Sequence, residues 1–304
     1  MKAETESIHK TVLLHETIDG LNLKDGAVVV DGTFGGGGHS ALVFSKFPKA
    51  KVIALDQDQS AWEKAEAKFD KSADITFVNE NFRNIEKVLE GKHLPAQAGV
   101  DGIILDLGLS SDQLDNSGRG FSFMKDEPLL MTMKANLLPE DVTAMDIVNT
   151  WGEESIANII YGYGEEKQSR RIAKAIVDAR QKGDIKTTFD LVKIIEDAIP
   201  AKFRKGKIHF ATKTFQALRI AVNDELGALA RGLEAGFEAL KKGGRMSVIS
   251  FHSLEDRVVK KFYKEKEKDG GGILINKKVI TATPEEIKNN SRSRSAKLRI
   301  IQKE

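Results

Sequence analysis

The chain has 304 residues, 47 Lys+Arg against 45 Asp+Glu, and no cysteine. The lack of cysteine excludes disulfides, thiolate zinc sites, iron–sulfur clusters and a cysteine nucleophile, while a net charge of +2 argues neither for nor against a nucleic-acid partner. Hydrophobic residues at 40% and charged residues at 30% suit a folded protein with an ordinary core, and no stretch has the ~18 apolar residues of a membrane helix or a signal-peptide core, so a soluble, cytoplasmic protein is expected.

Short apolar runs alternate with helical patterns through the first third. Ala27–Asp31, Lys51–Asp56, Ile75–Asn79 and Val100–Asp106 read as buried strands. His39–Phe47, Gln59–Asp70 and Arg83–Glu90 read as the helices between them. Continuous apolar strands separated by helices indicate a parallel sheet covered on both faces.

From about Gln113 to Lys207 no strand pattern is apparent. Asp141–Asn149, Glu153–Tyr161, Gln168–Gln181 and Phe189–Ile199 have the spacing of short amphipathic helices. The α/β pattern resumes with one long helix from Thr214, whose stripe includes Phe215, Leu218, Val222, Leu226, Leu229, Leu233, Phe237 and Leu240. Gly243-Gly244 is placed to end it. A fifth strand, Arg245–Ser250, a helix over Leu254–Lys266 and a terminal strand pair at Ile273–Ile280 and Ala296–Gln302 complete the reading. The expected fold class is α/β, a Rossmann-like doubly wound sheet with a helical insertion. The expected bounds are 1–112 and 208–304 for the sheet domain and 113–207 for the insertion.

The first strand runs into Asp31-Gly32-Thr33-Phe34-Gly35-Gly36-Gly37-Gly38-His39-Ser40. Glycines at a strand-to-helix turn let the backbone approach a ligand closely, although a glycine-rich turn alone is a weak signal. Ser40 stands where a dinucleotide fingerprint has its third glycine. Asp31 would repel a pyrophosphate but attract the ammonium and sulfonium of S-adenosylmethionine. Asp56 ends the second strand, where a carboxylate can accept ribose hydroxyls. Phe82, just after the third strand, is placed to lie against an adenine or to join the core. Asp106 closes the fourth strand at the edge where open α/β sheets bind ligands.

Four segments together, Asp31–Ser40, Asp101–Asp115, Arg119–Phe123 and Ser250–Arg257, resemble the RsmH/MraW family. His9–Glu16 and Ser291–Arg299 extend the resemblance over nearly the whole chain. The resemblance implies a class I S-adenosylmethionine-dependent methyltransferase acting on N4 of a cytidine in the decoding region of small-subunit ribosomal RNA. It also implies an insertion after the fourth strand that serves RNA recognition. The cofactor contacts it implies are Gly37, Gly38, His39, Asp56, Phe82, Asp106 and Gln113, to which the reading of the glycine turn adds Asp31. One departure stands out. The family usually reads P-L-D-M-R-M where this chain has Pro128-Leu129-Leu130-Met131-Thr132-Met133, so Leu130 and Thr132 replace an acid and a base.

A cytosine amino nitrogen is a poor nucleophile, so its methylation calls for alignment and an acceptor for the amino protons. Asp106 is the candidate catalytic residue for that task. His252, beyond the fifth strand, is a candidate substrate contact, with helix capping by Ser253 and a structural imidazole as the alternative. Arg119, Phe121 and Phe123 are candidate substrate contacts, the rings either stacking on an extruded base or packing between the domains. Lys202–Lys213 and Lys288–Lys303 are basic runs suited to phosphates. No set of residues has metal-ligand spacing, so no metal is expected. The partner expected is small-subunit ribosomal RNA or the subunit itself. The rival readings are a nicotinamide-dependent oxidoreductase, a non-catalytic RNA-binding assembly factor, and a methyltransferase with another target.

Overall fold

The computed structural model describes residues 10–59, 65, 69–93, 99–206 and 208–304. Among them the chain forms two compact units: one holds the N-terminal part to Gly108 together with Leu226–Glu304, and the other is Leu109–Glu225. The second unit therefore extends beyond residues 113–207 at both ends. Most of the helix expected over Gln59–Asp70 lies outside the described residues, as do His9 and Lys207.

The first unit is built on a sheet of β1 (Val28–Asp31), β2 (Lys51–Asp56), β3 (Asp74–Asn79), β4 (Val100–Asp106), β5 (Leu240–Ser250), β6 (Gly272–Leu274) and β7 (Lys297–Lys303). Its strand order is β3-β2-β1-β4-β5-β7-β6. The strands β3 to β5 run parallel, and β7 lies antiparallel between β5 and β6. This is a doubly wound sheet with its switch point between β1 and β4, in keeping with the fold that the resemblance implies. Val29, Val30, Ile103, Ile104 and Leu105 are fully buried, because helices cover both faces. On one face α1 (Leu14–Leu21) and α2 (Gly38–Lys46) pack over Val29, Val52 and Ile104. The opposite face carries a separate core that includes Val30, Ile103 and Leu105.

Leu105→Ala is expected to cost about 2–5 kcal/mol, the usual price of an aliphatic cavity. The cavity would open beneath the glycine turn, since a Cβ on Gly32 would lie 2.6 Å from Leu105 Cδ2. A urea midpoint unchanged in this variant would show that the site collapses without loss.

The second unit is helical. Its longer helices are α3 (Ser111–Asn116), α4 (Ala144–Thr150), α5 (Glu153–Gly164), α6 (Ser169–Arg180), α7 (Thr188–Ala198) and α8 (Thr212–Asn223), with one short turn of helix at Ala201–Arg204. Thr143 and Thr187 cap α4 and α7 through capping boxes with Asp146 and Asp190. Gly164 lets α5 press against α8, since a Cβ there would meet the Lys213 carbonyl oxygen at 2.5 Å. Ile147, Ile156, Ile160, Ile172, Leu191 and Leu218 form the buried centre.

The long helix expected from Thr214 is in fact two. Asp224 takes a left-handed conformation, φ 47°, and ends α8; α9 (Glu225–Ala239) follows. Its face of Leu229, Leu233 and Phe237 belongs to the core of the first unit. The helix ends at Ala239, not at Gly243-Gly244, because Leu240 already pairs with Val100 in the sheet. After β5 comes α10 (Ser253–Lys268). Among the described residues no helix is long and apolar enough to cross a membrane.

Candidate active site

The carboxyl ends of β1, β2 and β4 bring Asp31, Asp56 and Asp106 to one edge of the sheet. Registry makes this unavoidable: Asp31 pairs with Ala54 on one side and Ile104 on the other. The glycine turn that follows β1 is knitted to these strands. Gly32 donates to the Ile104 carbonyl at 2.9 Å and Phe34 to that of Leu55 at 3.0 Å. The Thr33 hydroxyl accepts from the Asp106 amide at 2.6 Å.

Asp31 is 1% exposed. Its carboxylate accepts from the Ser40 hydroxyl at 2.7 Å and the Thr33 amide at 3.3 Å. Burial, reinforced by the charge of Asp56, pushes its pKa up to about 6 despite those bonds. Asp56 accepts from the Gly35 amide at 2.7 Å and the Asp58 amide at 2.8 Å. Its pKa is also raised to about 6 by burial. Asp106 is held well above the usual carboxylate range by burial and by the charges of Asp31 and Glu255. Among the described residues its buried Oδ1 accepts no hydrogen bond, while Oδ2 lies 4.0 Å from Nδ1 of His39, itself a buried residue. Three carboxylates thus crowd one strand edge.

The glycines are explained first by the protein's own packing. Gly37 has φ 72°, and a Cβ there would sit 2.7 Å from the Phe34 ring. A Cβ on Gly38 would sit 1.8 Å from the Thr11 hydroxyl oxygen. Phe82 is half-buried against the core, and its ring edge would lie 2.5 Å from a Cβ on Gly232 of α9. At least one edge of that ring is therefore committed to packing.

His252 is itself the N-cap of α10, a position the sequence reading assigned to Ser253. Its Nδ1 accepts from the Glu255 amide at 3.4 Å, and Glu255 Oε2 accepts from the His252 amide at 3.2 Å and the Phe251 amide at 2.8 Å. Glu255 is 3% exposed and was missed in the sequence. The signal was the i, i+3 spacing of a capping box, hidden because histidine is an unusual cap.

In the second unit Gln113 closes a capping box with Ser110: its Oε1 accepts from the Ser110 amide at 3.0 Å. Arg119 donates to the carbonyls of Met133 and Lys134, each at 3.0 Å, and lies 5.6 Å from the Phe121 ring centroid. Phe121 is buried in that unit's core, which removes it from contact with a base and corrects its reading as a stacking residue. Phe123 stacks on His209 with centroids 4.6 Å apart and planes at 10°, and meets Phe215 edge-on. Thr132 is buried, and its hydroxyl accepts from the Lys134 amide at 3.2 Å. Leu130 accepts from the Ala144 amide at 3.0 Å.

The model of the MraW methylase family matches residues 6–304. The chain belongs to that family. It is 46% identical to the ribosomal RNA small subunit methyltransferase H of Lactobacillus johnsonii, over 97% of this chain and 98% of that one. It is likewise 46% identical to the protein of the same name from Clostridium botulinum, with the same coverage. A solved rRNA methylase from Streptococcus thermophilus aligns over 97% of each chain at 11% identity with a TM-score of 0.45.

The family's cofactor is S-adenosylmethionine, and the residues at the strand edge fit it. Among the described residues Asp106 offers a buried oxygen that accepts no hydrogen bond, and Asp31 and Asp56 place carboxylates where an ammonium and a sulfonium would be attracted.

Proposed function

We propose that the chain methylates the exocyclic N4 of one cytidine in the decoding region of small-subunit ribosomal RNA. Asp31, Asp56 and the turn Gly35–His39 would hold the cofactor, with Phe82 beside its adenine. When bound, S-adenosylmethionine supplies a methyl group activated by its sulfonium. The observation that carries the reading is Asp106, whose Oδ1 is buried without a hydrogen-bond donor at the end of β4.

An amino group brought to that oxygen finds an acceptor for its N–H. The bond orients the nitrogen and removes competing rotamers, a form of positioning that supplies up to several kcal/mol of a barrier in favourable cases. The nitrogen sheds a proton in the reaction, and Oδ1 of Asp106 is where it goes. The raised proton affinity of this carboxyl makes it a stronger base than a solvated aspartate. Glu255 and His39 act through Asp106, the first by its charge and the second by its imidazole 4.0 Å away. The target base must leave its stack to reach the strand edge, and Leu109–Glu225 is the part of the chain we assign to holding the surrounding RNA. The names borne by the relatives support ribosomal RNA as the substrate.

The test is a transfer assay with labelled S-adenosylmethionine on small subunits and on naked RNA, both from cells lacking this protein, with the product nucleoside identified by mass spectrometry. A single N4-methylated cytidine is expected. Cofactor binding without transfer to either substrate would favour the reading as an assembly factor.

A further inference from the structure

Apart from Arg292, the cations of the run Lys288–Lys303 divide into two kinds. Lys297 and Arg299 flank Asp256, at 3.3 and 2.8 Å, and Lys303 lies 3.6 Å from Glu238. These charges are neutralised within the fold. Lys288 and Arg294 are exposed, and so are Lys10, Lys277 and Lys278. Among the described residues none of these five pairs with a carboxylate.

The topology gathers the five near the site. Residues Ser291–Ser295 form a tight turn leading into β7, whose first residue, Lys297, pairs with Ser250 at the carboxyl end of β5. The turn therefore stands at the edge that carries Asp31, Asp56 and Asp106. It is firmly built: the buried Ser293 donates to the Asn290 carbonyl at 2.8 Å, and Asn290 Oδ1 accepts from the Arg292 amide at 3.3 Å. Asn290 Nδ2 donates to the Lys10 carbonyl at 2.8 Å, and the next residue, Thr11, is the one packed on Gly38 of the glycine turn. On the other side, Ile280 and Leu298 exchange backbone bonds of 3.1 and 2.9 Å, and Asn276 Nδ2 donates to the carbonyls of Lys278 and Leu298. Between Lys277 and Lys297 the carboxylates are Glu285, which is exposed, and Glu286, which accepts from the Leu13 amide at 2.8 Å.

We infer that Lys10, Lys277, Lys278, Lys288 and Arg294 form a phosphate-binding surface on the first unit, which grips the RNA backbone beside the target nucleotide. The inference rests on the reading of the chain as an RNA methyltransferase. A lysine or arginine on a pre-formed turn loses little freedom on meeting a phosphate, and five cations against one exposed carboxylate make a local field that an overall charge of +2 conceals.

The experiment compares the full chain with the variant Lys278→Ala/Lys288→Ala/Arg294→Ala. Binding of RNA from unmethylated small subunits is measured from 50 to 200 mM salt, together with cofactor affinity and kcat. Losing three phosphate contacts should lower the salt slope by about two for single-stranded RNA, so the loss of affinity over that salt range should shrink roughly 15–20-fold relative to wild type. KM for RNA should rise while kcat and cofactor affinity hold, and the glutamate versions should magnify the change. An unchanged slope and KM in variants that still bind cofactor overturns the surface and leaves the activity standing. A wild-type protein that binds cofactor but no RNA overturns both readings together.

Discussion

Asp106→Ala is expected to lower kcat by about 10²–10⁴-fold at saturating cofactor, the range for loss of a positioned proton acceptor. Asp106→Asn separates two roles. The amide oxygen can still accept a hydrogen bond from the target amine but cannot take its proton, so orientation survives and proton transfer does not. The wild-type pH profile should carry an acid limb displaced upward from the ordinary aspartate range, because burial and the charges of Asp31 and Glu255 favour the protonated form. In the asparagine variant that limb should vanish with the activity already low. Stopped-flow single turnovers across pH would measure both. Near-normal turnover in the alanine variant would remove Asp106 from the chemistry, and in the asparagine variant would remove it as the acceptor of the proton.

The second large effect concerns Asp31 and has opposite signs for stability and for binding. Its folded-state pKa, about 6, lies above the ordinary 3.8. A group raised in this way contributes stability below about pH 4 and loses it as pH climbs through about 6. Above that, the buried carboxylate costs the ligand-free protein roughly 3 kcal/mol. Asp31→Asn carries no charge at any of these pH values. Its amide can accept from Thr33, and its nitrogen can donate to Ser40 once that hydroxyl rotates. The variant should therefore be more stable than wild type at pH 7.5 by up to roughly 3 kcal/mol, with the gain shrinking to nothing near pH 4. Its affinity for S-adenosylmethionine should fall more than its affinity for S-adenosylhomocysteine, which lacks the sulfonium charge. Urea titrations at pH 4.5 and 7.5, paired with calorimetry of the two ligands, provide the check. A variant less stable at pH 7.5 would mean that the bonds from Ser40 and Thr33 outweigh the desolvation of the carboxylate.

The strands could be read closely from the sequence because buried parallel strands leave uninterrupted apolar runs. β2 and β4 begin and end where the patterns over Lys51–Asp56 and Val100–Asp106 do. The strand-end aspartates were visible for the same reason, since each is the first charge after such a run. What escaped depends on local conformations that share a pattern with something else. The apolar stripe runs unbroken across Asp224 because α8 and α9 each bury their own face; the Asn223-Asp224 pair, tolerant of left-handed backbone, was the one sign of a break. Gly243 has φ 82° and looked like a helix terminus, but it turns the chain inside β5. Phe121 and Phe123 carry the same side chain two residues apart, and tertiary packing alone sends the first into the core and the second onto His209. The partition of the C-terminal cations was equally hidden, because Asp256 and Glu238 are distant in sequence from the residues they neutralise.

The position of β7 has a consequence for synthesis. This strand, built from residues 297–303, is slotted between β5 and β6, so a nascent chain emerging from the ribosome reaches residue 296 with an open edge along β5, where the backbone N–H and C=O groups that pair with β7 have no partner strand. An open strand edge is a template for pairing with another chain. The growing protein must hold that edge vacant until its final strand arrives, which ties its solubility during translation to the last seven residues of this sheet rather than to the parallel strands made long before.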